Sequence, residues 1–190
     1  MNWILASGSP RRRELLEMLG VPNLTIRPAK GPERATPGAG PEQTVRELAL
    51  HKAQEVAQTC APEDIIIAAD TIVYPDGVIL GKPKDTADAA RMLAALSGRE
   101  HTVYTGVAVL RGGEMRQAAE HTAVRFRTLT PEEIARYIAT GEPMDKAGAY
   151  GIQGRGALFV AHLDGDYFNV MGLPLCRLGQ LLNELGVELL

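Results

Sequence analysis

The chain has 190 residues, of which 45% are hydrophobic and 23% charged, and its formal net charge is −3. This balance is typical of a globular protein with one sizeable core, and it disfavours a general nucleic-acid-binding protein, which is more often basic. No apolar run approaches the length of a membrane span and no charged secretion signal opens the chain, so we expect a cytoplasmic protein that binds neither membranes nor nucleic-acid polymers. Cys60 and Cys176 lack any metal-type spacing, which predicts reduced thiols.

The first predicted strand and helix enclose a cluster of positive charge. Trp3 to Leu5 predict a buried strand, and Ser9 and Pro10 suit the N-cap and the first position of a helix. Arg11 to Arg13 then fall in the first helical turn, where each cation opposes the helix dipole by roughly 0.3–1 kcal/mol. A bound phosphate would reverse that sign, and the small residues Ser7 to Ser9 would let it approach the backbone amides. The alternative is a solvated basic turn.

The rest of the chain alternates between helical periodicity and short apolar or alternating runs, without repeats or linkers. This order predicts one α/β domain over residues 1–190, with a mixed twisted sheet flanked by helices and room for a shallow two-lobed shape around a cleft. The predicted strands are 24–27, 65–69, 72–74 and 78–80 as a hairpin, 101–110, 115–127, and 157–160 paired with 167–170; the predicted helices are 43–58, 86–96, 130–141 and 174–185.

A carboxylate follows the most apolar predicted strand. The run 65–69 lacks alternation, which is typical of a central strand buried on both faces, and Asp70 and Thr71 come directly after it. Ligands of open α/β sheets lie beyond the carboxyl ends of strands, where the turn at Ser7 to Ser9 also falls, so we predict one shared cleft. A divalent cation or a lysine would stabilise the buried charge. The alternative is that Asp70 is a cap or turn residue.

Three polar residues in short loops are candidates to fold over the same cleft. Lys82 lies between Gly81 and Pro83, and Lys146 follows Asp145, although solvated lysines are the usual case. Gln153 both donates and accepts hydrogen bonds and has glycines around it, which suits recognition of a base edge. The alternative is an ordinary loop glutamine.

Short motifs follow one another in a set order through nearly the whole chain. They are ASGSPRR at 6–12, GPE at 31–33, ADTIV at 69–73, GKP at 81–83, LSG at 96–98, TGV at 105–107, DKAGAYGIQG at 145–154 and VMGLPL at 170–175. In this order they resemble the motifs of the Maf-like nucleotide pyrophosphatases. The resemblance implies hydrolysis of a nucleoside triphosphate between its α and β phosphates, a fold similar to the inosine triphosphate pyrophosphatases, and a homodimer.

The same resemblance implies roles for individual residues. Asp70 matches the family's catalytic aspartate, and Glu33, Asp70 and Asp145 are the implied ligands of Mg²⁺ or Mn²⁺. An unperturbed aspartate, with a pKa near ~3.9, is a weak base towards ordinary water, and a bound metal would make that water easier to deprotonate. The combination of Arg11, Thr71 and Gln153 is similar to the branch that acts on dTTP and UTP. The implied substrate-binding residues are Ser7, Ser9, Arg11, Arg12, Lys52, Thr71, Lys82, Lys146 and Gln153.

Two other classes of function stay open. Members of the resembled family have been described as inhibitors of septum formation, which would make the chain a regulator that acts through binding. A nucleotidyltransferase also has a small-residue turn followed by basic residues, but its phosphate loop normally holds more glycine than Ser7-Gly8-Ser9. Pyrophosphate release without a second substrate would select hydrolysis.

Overall fold

Six strands form one mixed sheet, in the order β2-β1-β3-β4-β5-β6. The computed structural model describes residues 1–190. Its strands are β1 (Trp3–Leu5), β2 (Leu24–Ile26), β3 (Ile65–Tyr74), β4 (Glu100–Arg111), β5 (Glu114–Phe126) and β6 (Val160–Asp164). Its α-helices are α1 (Pro10–Met18), α2 (Pro41–Ala57), α3 (Thr86–Leu96), α4 (Pro131–Ile138), α5 (Tyr167–Met171) and α6 (Leu175–Glu184), and short 3₁₀ turns occupy Glu142–Asp145, Ala147–Ala149 and Gly154–Phe159.

The strand pairings confirm the predicted mixed sheet. β1 runs parallel to both of its neighbours, with Trp3 opposite Leu24 of β2 and Ile65 of β3. β6 runs antiparallel to β5, with Val124 opposite Leu163. None of the helices combines the length and the apolar composition that a membrane-spanning helix requires.

The chain divides into two compact units. The first comprises Met1–Asp70, Thr105–Glu120 and Gly172–Leu190, and the second comprises Thr71–Tyr104 and His121–Met171. The description of residues 1–190 as one domain stays a prediction.

In the first unit, α2 lies very close to the sheet. Its buried alanines Ala49 and Ala53 pack in one cluster with Ile4 and Ile66. A Cβ added at Gly106 of β4 would lie 2.1 Å from the carbonyl oxygen of Val45, so only glycine permits this approach. The backbone of α2 is therefore held against β4, which fixes where the helix presents its polar side chains.

The second unit has an aromatic core. Phe126, Tyr150 and Phe159 pack edge to face, and the ring of Tyr137 from α4 packs on Phe159 at 4.8 Å. The predicted start of α4 is confirmed, because the Thr130 hydroxyl accepts from the backbone amide of Glu133 while the Glu133 carboxylate accepts from the amide of Thr130.

Strand β3 is longer than the sequence predicts. The prediction ended a strand at residue 69 and placed Asp70 beyond it, but β3 continues to Tyr74 with Asp70 and Thr71 inside it. The charge does not end the strand because the Asp70 carboxylate is paired with a lysine, as described below. The predicted strand 78–80 is wrong, since a single bridge joins Leu80 to Val73.

The predicted strand pair near residue 165 is also wrong. Residues 157–159 lie in a 3₁₀ turn, the strand is Val160–Asp164, and Tyr167–Met171 is a helix. The Asp166 carboxylate accepts from the amide of Phe168, which favours a helical turn over an extended strand. Buried Asn169 then donates to the carbonyl of Val103 and to the hydroxyl of Thr122, two distant partners that local sequence does not reveal.

A buried histidine in the second unit gives a prediction of pH dependence. His101 contacts the Tyr150 hydroxyl through Nε2 at 2.8 Å, and burial lowers the pKa of its imidazole to about 4. Between about pH 6.5 and 4 the unfolded chain binds a proton that the folded chain does not, so acidification removes up to about 3 kcal/mol of stability through this group. His101→Gln keeps a polar partner for Tyr150 and does not titrate.

We therefore expect His101→Gln to lose less stability than the wild type between pH 6.5 and 4. Urea unfolding at several pH values would measure the two slopes. Parallel slopes would show that His101 does not titrate differently on unfolding, whatever the absolute stability of the variant.

Candidate active site

The turn between β1 and α1 is built around the hydroxyl of Ser7. Ser9 occupies the N-cap position with an extended backbone, as predicted, but its side chain makes no capping hydrogen bond. Instead the buried Ser7 hydroxyl accepts from the amide of Ser9 at 3.3 Å and from Nη1 of Arg12 at 2.9 Å. The turn and the basic cluster are thus one hydrogen-bonded structure.

The three arginines of α1 separate into different environments. Arg12 turns inward, and its Nε donates to the carbonyl of Gly172 at 2.7 Å. Burial lowers the pKa of its guanidinium, and the negative charge of Asp70 opposes this lowering. Arg13 pairs with Glu17 on the exposed surface at 2.7 Å. Arg11 is half-buried, and its charge also lowers the pKa of Arg12.

Lys52 of α2 bridges two carboxylates. Its Nζ lies 2.5 Å from Oδ1 of Asp70 and 2.7 Å from Oε1 of Glu33. The side chains of Asp70 and Lys52 are 11% and 19% exposed, whereas that of Glu33 is 63% exposed. Burial raises the pKa of Asp70, and the charges of Lys52 and Arg12 oppose this rise. The sequence predicts that a divalent cation or a lysine stabilises the buried Asp70, and in the structure Lys52 is such a partner.

The loop that carries Glu33 is held by two glutamates that sequence analysis missed. Glu55 of α2 accepts hydrogen bonds from the amides of Lys30 and Gly31, and a Cβ at Gly31 would lie 2.6 Å from its Oε2. Glu47 accepts from the amide and the hydroxyl of Thr36. The helical period places both glutamates near one face of α2, but nothing in that period identifies backbone amides as their partners.

In the second unit, the two predicted lysine loops meet through their backbones. The amide of Gly148 donates to the carbonyl of Gly81, the neighbour of exposed Lys82, at 3.0 Å. Lys146 donates from Nζ to the carbonyl of Glu142 at 2.6 Å and to Oδ1 of Asp145 at 2.7 Å. The loop after Lys146 is therefore fixed by internal contacts.

Gln153 lies half-buried in that loop at the N-cap of the 3₁₀ turn Gly154–Phe159, and its side chain makes no capping hydrogen bond. Thr71 is half-buried in β3.

The predicted site residues are divided between the two units. The first unit contains Ser7, Ser9, Arg11, Arg12, Glu33, Lys52 and Asp70, and the second contains Thr71, Lys82, Asp145, Lys146 and Gln153. The structure brings together Ser7 with Arg12, Lys52 with Glu33 and Asp70, and Asp145 with Lys146.

The pair of carboxylates on Lys52 fits a divalent cation of the Mg²⁺ type. Glu33 and Asp70 offer hard oxygen ligands that already approach one positive charge. Nowhere in the chain do three or more His, Cys, Asp or Glu side chains form a group that could hold a metal. Mg²⁺ is commonly held by one or two carboxylates together with water and substrate phosphates, which is the arrangement that this donor set would support.

Comparison with known proteins identifies the family. The model of the Maf-like protein family matches residues 2–185. The chain belongs to the Maf-like protein family. A relative from Moorella thermoacetica, named dTTP/UTP pyrophosphatase, is 54% identical over 187 residues, which cover 97% of this chain and 95% of the relative. Another with that name, from Symbiobacterium thermophilum, is 52% identical over 183 residues, or 96% and 93% of the two chains.

The family model and the two relatives confirm the resemblance drawn from the motifs. Among solved structures, the nucleoside-triphosphatase or dITP/XTP pyrophosphatase of Mycobacterium abscessus aligns with 74% of this Maf-like chain and 94% of its own, at 20% identity and a TM-score of 0.43.

The contacts of the arginines predict different consequences for their loss. Arg12→Ala removes a donor from the Gly172 carbonyl and from the Ser7 hydroxyl, so we expect it to cost about 1–3 kcal/mol of unfolding free energy. Arg13→Ala removes an exposed pair with Glu17 and should leave the melting temperature almost unchanged. Thermal unfolding of both variants measures the difference, and equal melting temperatures would contradict the inward role of Arg12.

Proposed function

We propose that this Maf-like protein hydrolyses dTTP and UTP to the nucleoside monophosphate and pyrophosphate, with Mg²⁺ or Mn²⁺ as cofactor. The similarity to relatives named dTTP/UTP pyrophosphatase over nearly the full length supports the substrate class. The observation that carries the chemistry is the ammonium of Lys52 between the carboxylates of Glu33 and Asp70. That arrangement supplies both a cation for phosphate oxygens and a candidate base.

The cations of the first unit suit a triphosphate. Attack on an α-phosphorus requires compensation of the charge on its oxygens, and positioning with electrostatic stabilisation accounts for most catalysis of this type. Arg11, Arg12 and Lys52 are the proposed phosphate-binding cations there, with Ser7 and Ser9 on the turn. Lys82 and Lys146 are the corresponding proposals in the second unit.

Asp70 is the proposed general base. Burial raises the pKa of Asp70 above its ordinary value, which makes its carboxylate a stronger base towards water. Glu33 and Asp70 are the proposed ligands of the divalent cation, which would supply a water of lowered pKa. Lys52 would then hold the Asp70 carboxylate in place while its oxygen accepts the proton.

Gln153 is the proposed reader of the base. Thymine and uracil share an O4 acceptor beside an N3–H donor, and the amide of Gln153 can donate to the first and accept from the second. Cytosine presents the reversed pattern. Thr71 and Arg11 are proposed as further substrate-binding residues on the strength of the motif resemblance.

Two further proposals concern the protein in the cell, and the motif resemblance supports the first of them. We propose that it is a homodimer and that it acts in the cytoplasm. Light scattering of the purified protein would measure the mass in solution, and a monomer at all concentrations would contradict the first proposal.

Resolving the reaction products tests the whole proposal. The protein is incubated with Mg²⁺ and dTTP, UTP, CTP or ATP, with and without a sugar 1-phosphate. We expect pyrophosphate and monophosphate from dTTP and UTP without a second substrate. Product formation only with the sugar phosphate would identify a nucleotidyltransferase instead.

Asp70→Asn should abolish most turnover without unfolding the protein. We expect a loss of at least about 100-fold in kcat at saturating Mg²⁺, because the proposed base is removed. In metal-free buffer the melting temperature should be unchanged or raised at pH 7, since the ionised Asp70 is costly to bury, and this gain should shrink towards about pH 4 as the wild-type carboxyl gains its proton. The exposed Asp164→Asn is the matched control. Near-normal turnover by Asp70→Asn would refute the assignment.

Gln153→Ala should erode base preference more than turnover. We expect the ratio of kcat/KM for dTTP over CTP to fall by about ten-fold or more, because a hydrogen-bonding partner of the base is lost. The kcat for dTTP should fall less than that ratio. Competition between dTTP and CTP measures this ratio, and a variant that keeps the full preference for dTTP over CTP would show that another residue recognises the base.

A further inference from the structure

The carboxylate of Glu142, in the second unit, binds the backbone of the loop that carries Gln153. The side chain of Glu142 accepts hydrogen bonds from the amides of Arg155 at 3.0 Å and Gly156 at 3.1 Å. It also accepts from the hydroxyl of Tyr137 at 2.9 Å. Its three donors are thus one side chain of α4 and two backbone groups that follow Gln153.

Tyr137 holds the other end of the same loop. Its hydroxyl oxygen accepts from the amide of Gly151 at 3.2 Å while it donates to Glu142. Tyr137 is itself fixed by its ring contact with Phe159. The segment 151–156 is therefore tied at both ends to one hydrogen-bonded pair, with Gln153 between the ties.

Close backbone packing makes this loop rigid. A Cβ at Gly156 would lie 2.3 Å from the carbonyl oxygen of Gly151 and 2.8 Å from the hydroxyl of Tyr137. Gly154 has a φ of +76°, and a Cβ there would lie 3.0 Å from the carboxylate of Glu142. The loop thus closes tightly around the pair, and substitution of either glycine would force it open.

The charge of Glu142 is retained inside this packing. Burial alone would raise the pKa of Glu142, but the hydrogen bonds from Arg155, Gly156 and Tyr137 outweigh it and lower that pKa. The backbone carbonyl of Glu142 also accepts from Nζ of Lys146 at 2.6 Å, so the same residue orients a proposed phosphate-binding cation.

We propose that Glu142 and Tyr137 form a positioning pair that sets the side chain of Gln153 for recognition of the O4 and N3–H edge of thymine and uracil. This inference rests on the proposed function, because it assigns a base to Gln153. The pair touches no substrate; it acts by holding the backbone on each side of Gln153, so that the amide meets the base edge without a cost of ordering the loop.

Binding without turnover tests the proposal. The probes are α,β-imido-dUTP and α,β-imido-dCTP with Mg²⁺, and tripolyphosphate as a probe that has no base, each measured by calorimetry. Tyr137→Phe keeps the ring packing and removes the hydroxyl, and Tyr167→Phe, which removes an exposed hydroxyl of α5, is the matched control.

We expect Tyr137→Phe to reduce the dUTP-over-dCTP preference by about five- to ten-fold, with tripolyphosphate affinity within about two-fold of wild type. The double variant with Gln153→Ala should lose no more preference than Gln153→Ala alone, since the two residues act through one interaction. Glu142→Gln should reproduce the loss, and it carries the test if Tyr137→Phe does not fold.

Full preference in both variants, additive losses in the double variant, or a parallel loss of tripolyphosphate affinity would each overturn the positioning role. A wild type with no preference between the two imido nucleotides would overturn it as well. A wild type that prefers imido-dUTP but releases no pyrophosphate from dTTP would refute the proposed hydrolysis and leave the positioning pair supported.

Discussion

The ammonium of Lys52 is the interaction on which the first unit depends. Asp70 lies inside strand β3 with its side chain nearly closed to solvent, and an uncompensated carboxylate there would be strongly destabilising. Lys52 reaches it from α2, whose backbone lies against β4 at Gly106. The alanines Ala49 and Ala53 fill the contact without holding the helix away. Small residues on one face of α2 therefore determine where a charge on another part of the helix can act.

The same helix orders the loop that brings a second carboxylate to Lys52. Glu33 lies in a stretch without regular structure, and glutamates Glu47 and Glu55 of α2 bind backbone amides on both sides of it. Ordering a loop of this length costs conformational entropy at every residue, which hydrogen bonds to a rigid helix offset. We infer that α2 serves as the platform from which both carboxylates of the proposed metal site are positioned.

Sequence reasoning succeeds here where the information is local. The helical periods of α2 and α3, the capping box of Thr130 and the apolar run of β3 each depend on neighbouring residues, and each element is present. It fails where a contact with a residue far away in the sequence determines the local structure. Asp70 does not end β3 because a lysine eighteen residues earlier compensates it, and Tyr167–Met171 is helical around an asparagine that binds β4 and β5. The roles of the predicted site residues stay predictions, since they depend on a substrate.

Glu55 and Glu142 have no proposed role in the reaction itself, but they position loops that carry proposed site residues. Glu55 binds the amides before Glu33 in the first unit, and Glu142 binds the amides after Gln153 in the second. Negative charge near the proposed phosphate-binding residues would ordinarily oppose the binding of a triphosphate. Here each carboxylate accepts hydrogen bonds from backbone N–H groups, and these donors compensate much of its negative charge. Such residues leave no motif of their own, because their partners are amides that every sequence contains, and only the fold reveals them.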